Sequence, residues 1–339
     1  MVIEQESFAC SKLWPVFGMH WDKLSRYYLT ITSDFAKESH KADNMFKNIS
    51  ENGIVLEWDI GKRLSIDEVN LRWQVYTILS NVDKAKWIIA ILPWTKSKPI
   101  IETLKNELWE RIDNVEEVAC DMWPSMEAIV ESVFPKAKHV TDRFHVMKEI
   151  LSDLHAIRMR IKTKIKAKQN GEKIKAKKNW TKYNAPRTNL WETEYETLQM
   201  LRYQCNKRMN DWSNREKQRF YGIQKDESYK ELIVGIECVQ DLFSVFDSCH
   251  DVCEWEKKMK KWVEKYENHS YKWTEIKNMI STIQLHHTWI MNYFISRHST
   301  WYSEGLHSRI RELLQTVRWF KNKDFMIYRI LKLFSTIQH

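Results

Sequence analysis

Three acidic residues stand where their type and spacing could do chemistry. Asp67 lies in L-S-I-D-E-V (64–69), a short apolar and β-branched run that reads as a strand. A carboxylate among such neighbours is costly to bury unless it is paired or holds a cation. Asp121 ends a second run of this kind, in V-A-C-D-M-W (118–123), and Glu304 opens a late helix in W-Y-S-E-G-L-H-S-R-I-R (301–311). Helical spacing puts Glu304, His307, Ser308 and Arg311 on one face. The gaps are 121 − 67 = 54 and 304 − 121 = 183 residues. If the strands of Asp67 and Asp121 are parallel neighbours, the two carboxylates face each other at one sheet edge. Their repulsion is then relieved by a divalent cation.

The elements that must position them follow from the hydrophobic pattern. Runs at 63–69, 73–80 and 86–92, joined by short separators, predict an antiparallel meander. Pro99 opens an amphipathic helical pattern over 99–109, a strand follows at 116–121, and a helix over 125–134 is broken by Pro135. Residues 137–142 give a fifth strand. The order β-β-β-α-β-α-β, with strands joined through helices, implies parallel pairing and a mixed sheet with right-handed crossovers.

Beyond residue 144 the chain reads as helical to about 335. Between 158 and 187 it carries twelve basic residues: Arg158, Arg160, Lys162, Lys164, Lys166, Lys168, Lys173, Lys175, Lys177, Lys178, Lys182 and Arg187, opposed only by Glu172. Such a run is either a solvated face or a contact for a phosphate backbone. Trp191, Trp212, Trp255, Trp262, Trp273 and Trp289 read first as core of a helix bundle, with base stacking as the alternative for one or two.

Composition narrows the classes. The 339 residues carry 54 Lys+Arg against 45 Asp+Glu, a net charge of +9 that permits a polyanionic partner. Gly and Pro number 7 and 6, so tight-turn β architectures and glycine-rich phosphate loops are excluded in favour of long helices. No apolar stretch is long enough to span a membrane, and the first residues lack a secretory pattern, so a cytoplasmic location is expected. Six cysteines form no C-x-x-C pair. Cys249-His250-x-x-Cys253 lacks the second ligand pair of a closed zinc site and reads as ordinary reduced thiols.

L-S-I-D-E (64–68), D-M-W (121–123), F-P-x-A (134–137), V-x-D-R-F-H-V (140–146) and S-E-G-L-H-S-R-I-R (303–311) occur in this order. Together they resemble the DDE transposases of bacterial insertion sequences, most closely the ISL-three group in its Bacteroidetes-type branch. The resemblance implies a ribonuclease H-like α/β core with a five-stranded mixed sheet and flanking helices, interrupted by a large all-α insertion. Its divisions would be a helical N-terminal segment (1–60), the first part of the core (61–150), a basic helical insertion (151–284) and the last part of the core with the catalytic helix (285–339). It implies Asp67, Asp121 and Glu304 as catalytic and metal-binding triad, with two Mg²⁺ or Mn²⁺ ions. Asp67 would bridge the ions, Asp121 would serve one and Glu304 the other. DNA contacts would come from Arg143, His145, Lys162, Lys164, Lys166, Lys168, Lys175, Lys177, Lys178, His307, Arg309 and Arg311. Implied partners are double-stranded transposon ends and target DNA, a second copy of the chain, and a separately encoded N-terminal DNA-binding protein, since no zinc ribbon or helix-turn-helix is evident. A non-catalytic DNA-binding derivative and a plain nuclease of the same fold stay open as alternatives. Asp142 is a lesser ligand candidate. His307 stands where the family often has Asn, and Arg309 and Arg311 where it has Lys.

Overall fold

The computed structural model describes residues 20, 23, 26, 27, 29, 30, 33, 35, 46–83, 88–141, 143–270, 272–296, 301–316 and 322–335, with the side chains of 270, 301–304 and 316 outside that set. The chain divides into two compact units, Met1–Asp142 with His298–His339, and Arg143–Arg297.

The first unit is built on a mixed sheet. Its elements are α1 (Ile49–Asn52), β1 (Ile54–Val55), β2 (Arg63–Asn70), β3 (Val75–Asn81), β4 (Ile88–Leu92), α2 (Ser97–Leu108), β5 (Glu117–Ala119), α3 (Pro124–Val133) and β6 (Lys138–Val140). After the second unit the chain adds α11 (Trp301–Thr316) and α12 (Lys323–Phe334). The strand order is β1-β4-β3-β2-β5-β6. The meander β2–β3–β4 is antiparallel, whereas β2 pairs with β5, and β5 with β6, in parallel. This is the expected ribonuclease H-like α/β pattern, with one correction. The sheet has six strands rather than five, because Ile54–Val55 pairs antiparallel with β4 at the edge.

Strand alternation sends successive residues to opposite faces. Leu64, Ile66, Leu79, Ile89 and Leu92 pack with Ile100, Leu104, Ile129 and Val130 of α2 and α3. Val69, Tyr76, Ile78, Ile88 and Ile91 pack with Leu306, Ile310 and Leu313 of α11 and with α12. Odd-numbered residues of β2 therefore face the side that carries α11, and Asp67 is among them.

The second unit is helical: α4 (Arg143–Lys178), α5 (Glu194–Cys205), α6 (Asn214–Gln224), α7 (Lys230–Ser248), α8 (Val252–Ser270), α9 (Thr274–Leu285) and α10 (His287–Ser296). Capping boxes at Thr193/Glu196 and Ser213/Glu216 start α5 and α6. In α4, Val146, Ile150, Leu154 and Ile157 are buried at helical spacing, which seats its first half in the bundle. No residue from 166 to 178 is buried. Trp212, Trp255 and Trp262 are core as expected, Trp273 and Trp289 are half-buried, and Trp191 is exposed.

Candidate active site

Asp67 lies on β2 opposite Ile78 of β3. The parallel register ends at Ser65 opposite Ala119, two residues short of Asp67 on β2 and of Asp121 beyond the end of β5, and the charges of both carboxylates act on Cys120. The buried Cys120, between them in the alternation, turns to the α2–α3 side. Each aspartate accepts a hydrogen bond from the next backbone amide, Glu68 N–H to Asp67 Oδ1 and Met122 N–H to Asp121 Oδ1, both at 2.7 Å. This local bond orients the carboxylate.

The electrostatics agree with this placement. Burial, and then the charges of Asp121 and Asp67, hold the Cys120 thiol well above its ordinary range. Cys120 Sγ meets His139 Nε2 at 2.8 Å beneath the carboxylates. Glu68 is raised by burial and by the charge of Asp121, although it leaves β2 on the opposite face.

The late helix α11 reaches β2 through His307. Its Nδ1 stands 3.4 Å from Asp67 Oδ2, and the ring is 7% exposed. Burial, then the Arg311 cation, lower the imidazole to about 4. It is neutral at pH 7, so the contact is polar rather than an ion pair. Nε2 is buried with no hydrogen-bond partner among the described residues. Sequence reasoning placed His307 with the DNA contacts, and 307 − 67 = 240 residues of separation gave no sign of this meeting. Glu304 lies one turn earlier in the same helix, and its side chain is outside the described residues, as is Asp142. The face expected to hold 304, 307, 308 and 311 divides: His307 is buried, while Ser308, Arg309 and Arg311 are exposed. Arg311 Nε donates to the His307 carbonyl at 3.2 Å.

The remaining site candidates belong to the second unit. Arg143 pairs with Asp247 at 2.5 Å, and its guanidinium lies over the rings of Phe243 and Phe246. His145 is buried. Two members of the basic run are structural: Arg158 is buried and donates to the Leu198 carbonyl, and Arg160 pairs with Glu231 and Glu275. Lys162 sits 4.4 Å from the Tyr195 ring centroid. Lys164, Lys166, Lys168, Lys175, Lys177 and Lys178 are exposed along α4.

Among the described residues no group of three or more His, Cys, Asp or Glu is placed to hold a metal. Asp67 and Asp121 nonetheless supply hard oxygen donors close enough that, after burial, both charges raise Cys120. That donor chemistry fits a divalent cation of the Mg²⁺ or Mn²⁺ type.

A mixed sheet whose parallel pair β2–β5 leads to Asp67 and Asp121, with a late helix packed on the same sheet, defines the class as an α/β protein of ribonuclease H-like pattern. The particular family follows from a family model described as Transposase, of the DDE type and the ISL-three group, which matches residues 64–330. The chain belongs to this family of transposases, enzymes that act on DNA in transposition and recombination. No curated protein and no solved structure matches it significantly.

Proposed function

We propose that the chain cuts DNA at transposon ends and joins the freed 3′-hydroxyl to target DNA, with Asp67, Asp121 and Glu304 as its acidic triad. The observation that carries this reading is the parallel pairing of β2 with β5, which leads the chain to Asp67 and to Asp121 at the same end of the pair, with α11 brought to Asp67 through His307. Asp67 and Asp121 would hold a pair of divalent cations together with Glu304, Asp67 serving both. When bound, such cations polarise the scissile phosphate and lower the pKa of an attacking hydroxyl. Asp67 and Asp121 keep their carboxylates oriented through their backbone amide bonds. The neutral His307 ring covers Asp67 and keeps bulk water from that side.

The exposed lysines of α4, with Arg309 and Arg311, would bind phosphates as charge contacts that position DNA without reading its sequence. Two transposon ends must meet, so the active form would be a dimer. End recognition would come from a separately encoded DNA-binding protein.

Asp67→Asn, Asp121→Asn and Glu304→Gln each remove a charge while keeping shape. Each is expected to abolish cleavage and joining on a gel-based strand-transfer assay, with DNA affinity retained. Wild-type cutting by Asp121→Asn would overturn the assignment. Cutting without joining by the wild-type chain would make it a nuclease.

A further inference from the structure

We propose that Trp180 and Trp191 are stacking platforms for unpaired bases of DNA whose phosphates lie along the lysine-rich end of α4. This deepens the transposase reading and rests on it. Both residues lie in the segment that joins α4 to α5, and both take the left-handed backbone that favours glycine, at φ 55° and 61°. A residue with a Cβ is strained there.

The local bonds show how each is held. The Thr181 amide donates to the Ala176 carbonyl at 2.9 Å and the Trp180 amide to the Lys177 carbonyl at 3.2 Å. These are the two bonds of a Schellman helix end, with tryptophan at the position glycine normally takes. Trp191 closes a tight turn: its amide donates to the Thr188 carbonyl at 2.9 Å, and the Thr188 amide to the Glu192 carbonyl at 2.8 Å. Arg187 donates to the Trp191 carbonyl at 2.5 Å. Glu192 fastens the turn to α6 through Arg219 at 2.6 Å and Arg215 at 2.9 Å.

Core packing does not explain this strain, because Trp180 is 97% exposed and Trp191 79%. Two solvent-facing indoles on hydrogen-bonded turns of the segment that follows a row of exposed lysines combine the two parts of a single-strand site, a π-surface and a positive track. The only acid in that stretch, Glu172, is bonded to Tyr183 at 2.9 Å. An acidic protein would satisfy the lysines but has no need of the indoles, so bases are the occupant that uses both.

The test measures anisotropy of the full-length chain with three labelled probes. One is a blunt duplex, one the same duplex with a short single-stranded tail, and one with that tail made abasic. The base-bearing tail is expected to bind tightest. The double variant Trp180→Ala/Trp191→Ala should lose roughly tenfold on it, the worth of a stacked base, and nothing on the abasic tail. Phe at both positions should keep most of the affinity. Trp180→Gly should raise the melting temperature while weakening tailed-DNA binding, which separates stacking from a structural role. Equal affinity for base-bearing and abasic tails, or wild-type binding by the Ala variant, would overturn the proposal and leave the transposase reading standing. Failure of the wild-type chain to bind any of the three would sink both.

Discussion

His307 is where a single side chain decides how the late helix serves the sheet. A buried neutral imidazole 3.4 Å from Asp67 Oδ2 supports that carboxylate without competing for its charge. Groups that orient a metal-binding carboxylate typically change activity or metal affinity about 10–100-fold when removed. His307→Leu fills the space but loses the polar contact, and is expected to lower the cleavage rate within that range and raise the Mg²⁺ concentration needed for half-maximal rate. His307→Asn, which restores a short polar group, should recover much of both. Identical Mg²⁺ titrations for wild type and His307→Leu would show that the ring merely packs. The partnership was illegible beforehand because nothing local in S-E-G-L-H-S marks which of its polar residues turns inward. Asp67 stood out in the sequence as a carboxylate inside a β-branched run, but its assignment with Asp121 to one site came from the family resemblance and not from the local pattern.

At the scale of elements, α4 also contains a half-buried acid with no evident part in the chemistry. Asp153 is pushed up to about 6, first by burial, against a hydrogen bond from Asn278 and with help from Glu149 and Glu275. A folded-state value above the ordinary 3.8 means that the native chain holds the proton longer than the unfolded chain. Asp153 is therefore neutral and harmless near pH 4, its penalty grows as pH rises towards 6, and the full cost is present above that. Discounted for partial exposure, the cost at pH 7 is about 1 kcal/mol. Asp153→Asn should raise stability by about that much in urea unfolding at pH 7 and by almost nothing at pH 4. An equal gain at both values would place its cause elsewhere. Elements of ordinary length were readable from period alone: β2 to β6 and the helices α2 and α3 fall where their apolar runs lie. Strand β1 was not, because two residues, Ile54 and Val55, are too short to display any alternation. The exposed Trp180 and Trp191 were equally hidden, since left-handed backbone is signalled by glycine or asparagine and indoles are ordinarily taken for core.

For the whole molecule, the excess of nine positive charges is not evenly used. Arg143, Arg158, Arg160, Arg215 and Arg219 are committed to ion pairs or buried carbonyls inside the helical unit. Lys164, Lys166, Lys168, Lys173, Lys175, Lys177 and Lys178 in the second half of α4 are exposed and form a row open to a polyanion. Binding by such residues releases condensed counterions, so affinity falls with salt at a slope of about 0.9 per duplex phosphate neutralised. Replacing Lys164, Lys168, Lys175 and Lys178 together by alanine should leave the fold intact, because none of the four is buried. With one phosphate met by each lysine, it should make the plot of log affinity against log salt shallower by about 3.6. The loss should be the same for unrelated duplex sequences, since phosphate contacts carry no base information. An unchanged slope would mean that α4 is a solvated face and that the phosphates are met elsewhere, with Arg309 and Arg311 on the exposed side of α11 the next residues to replace.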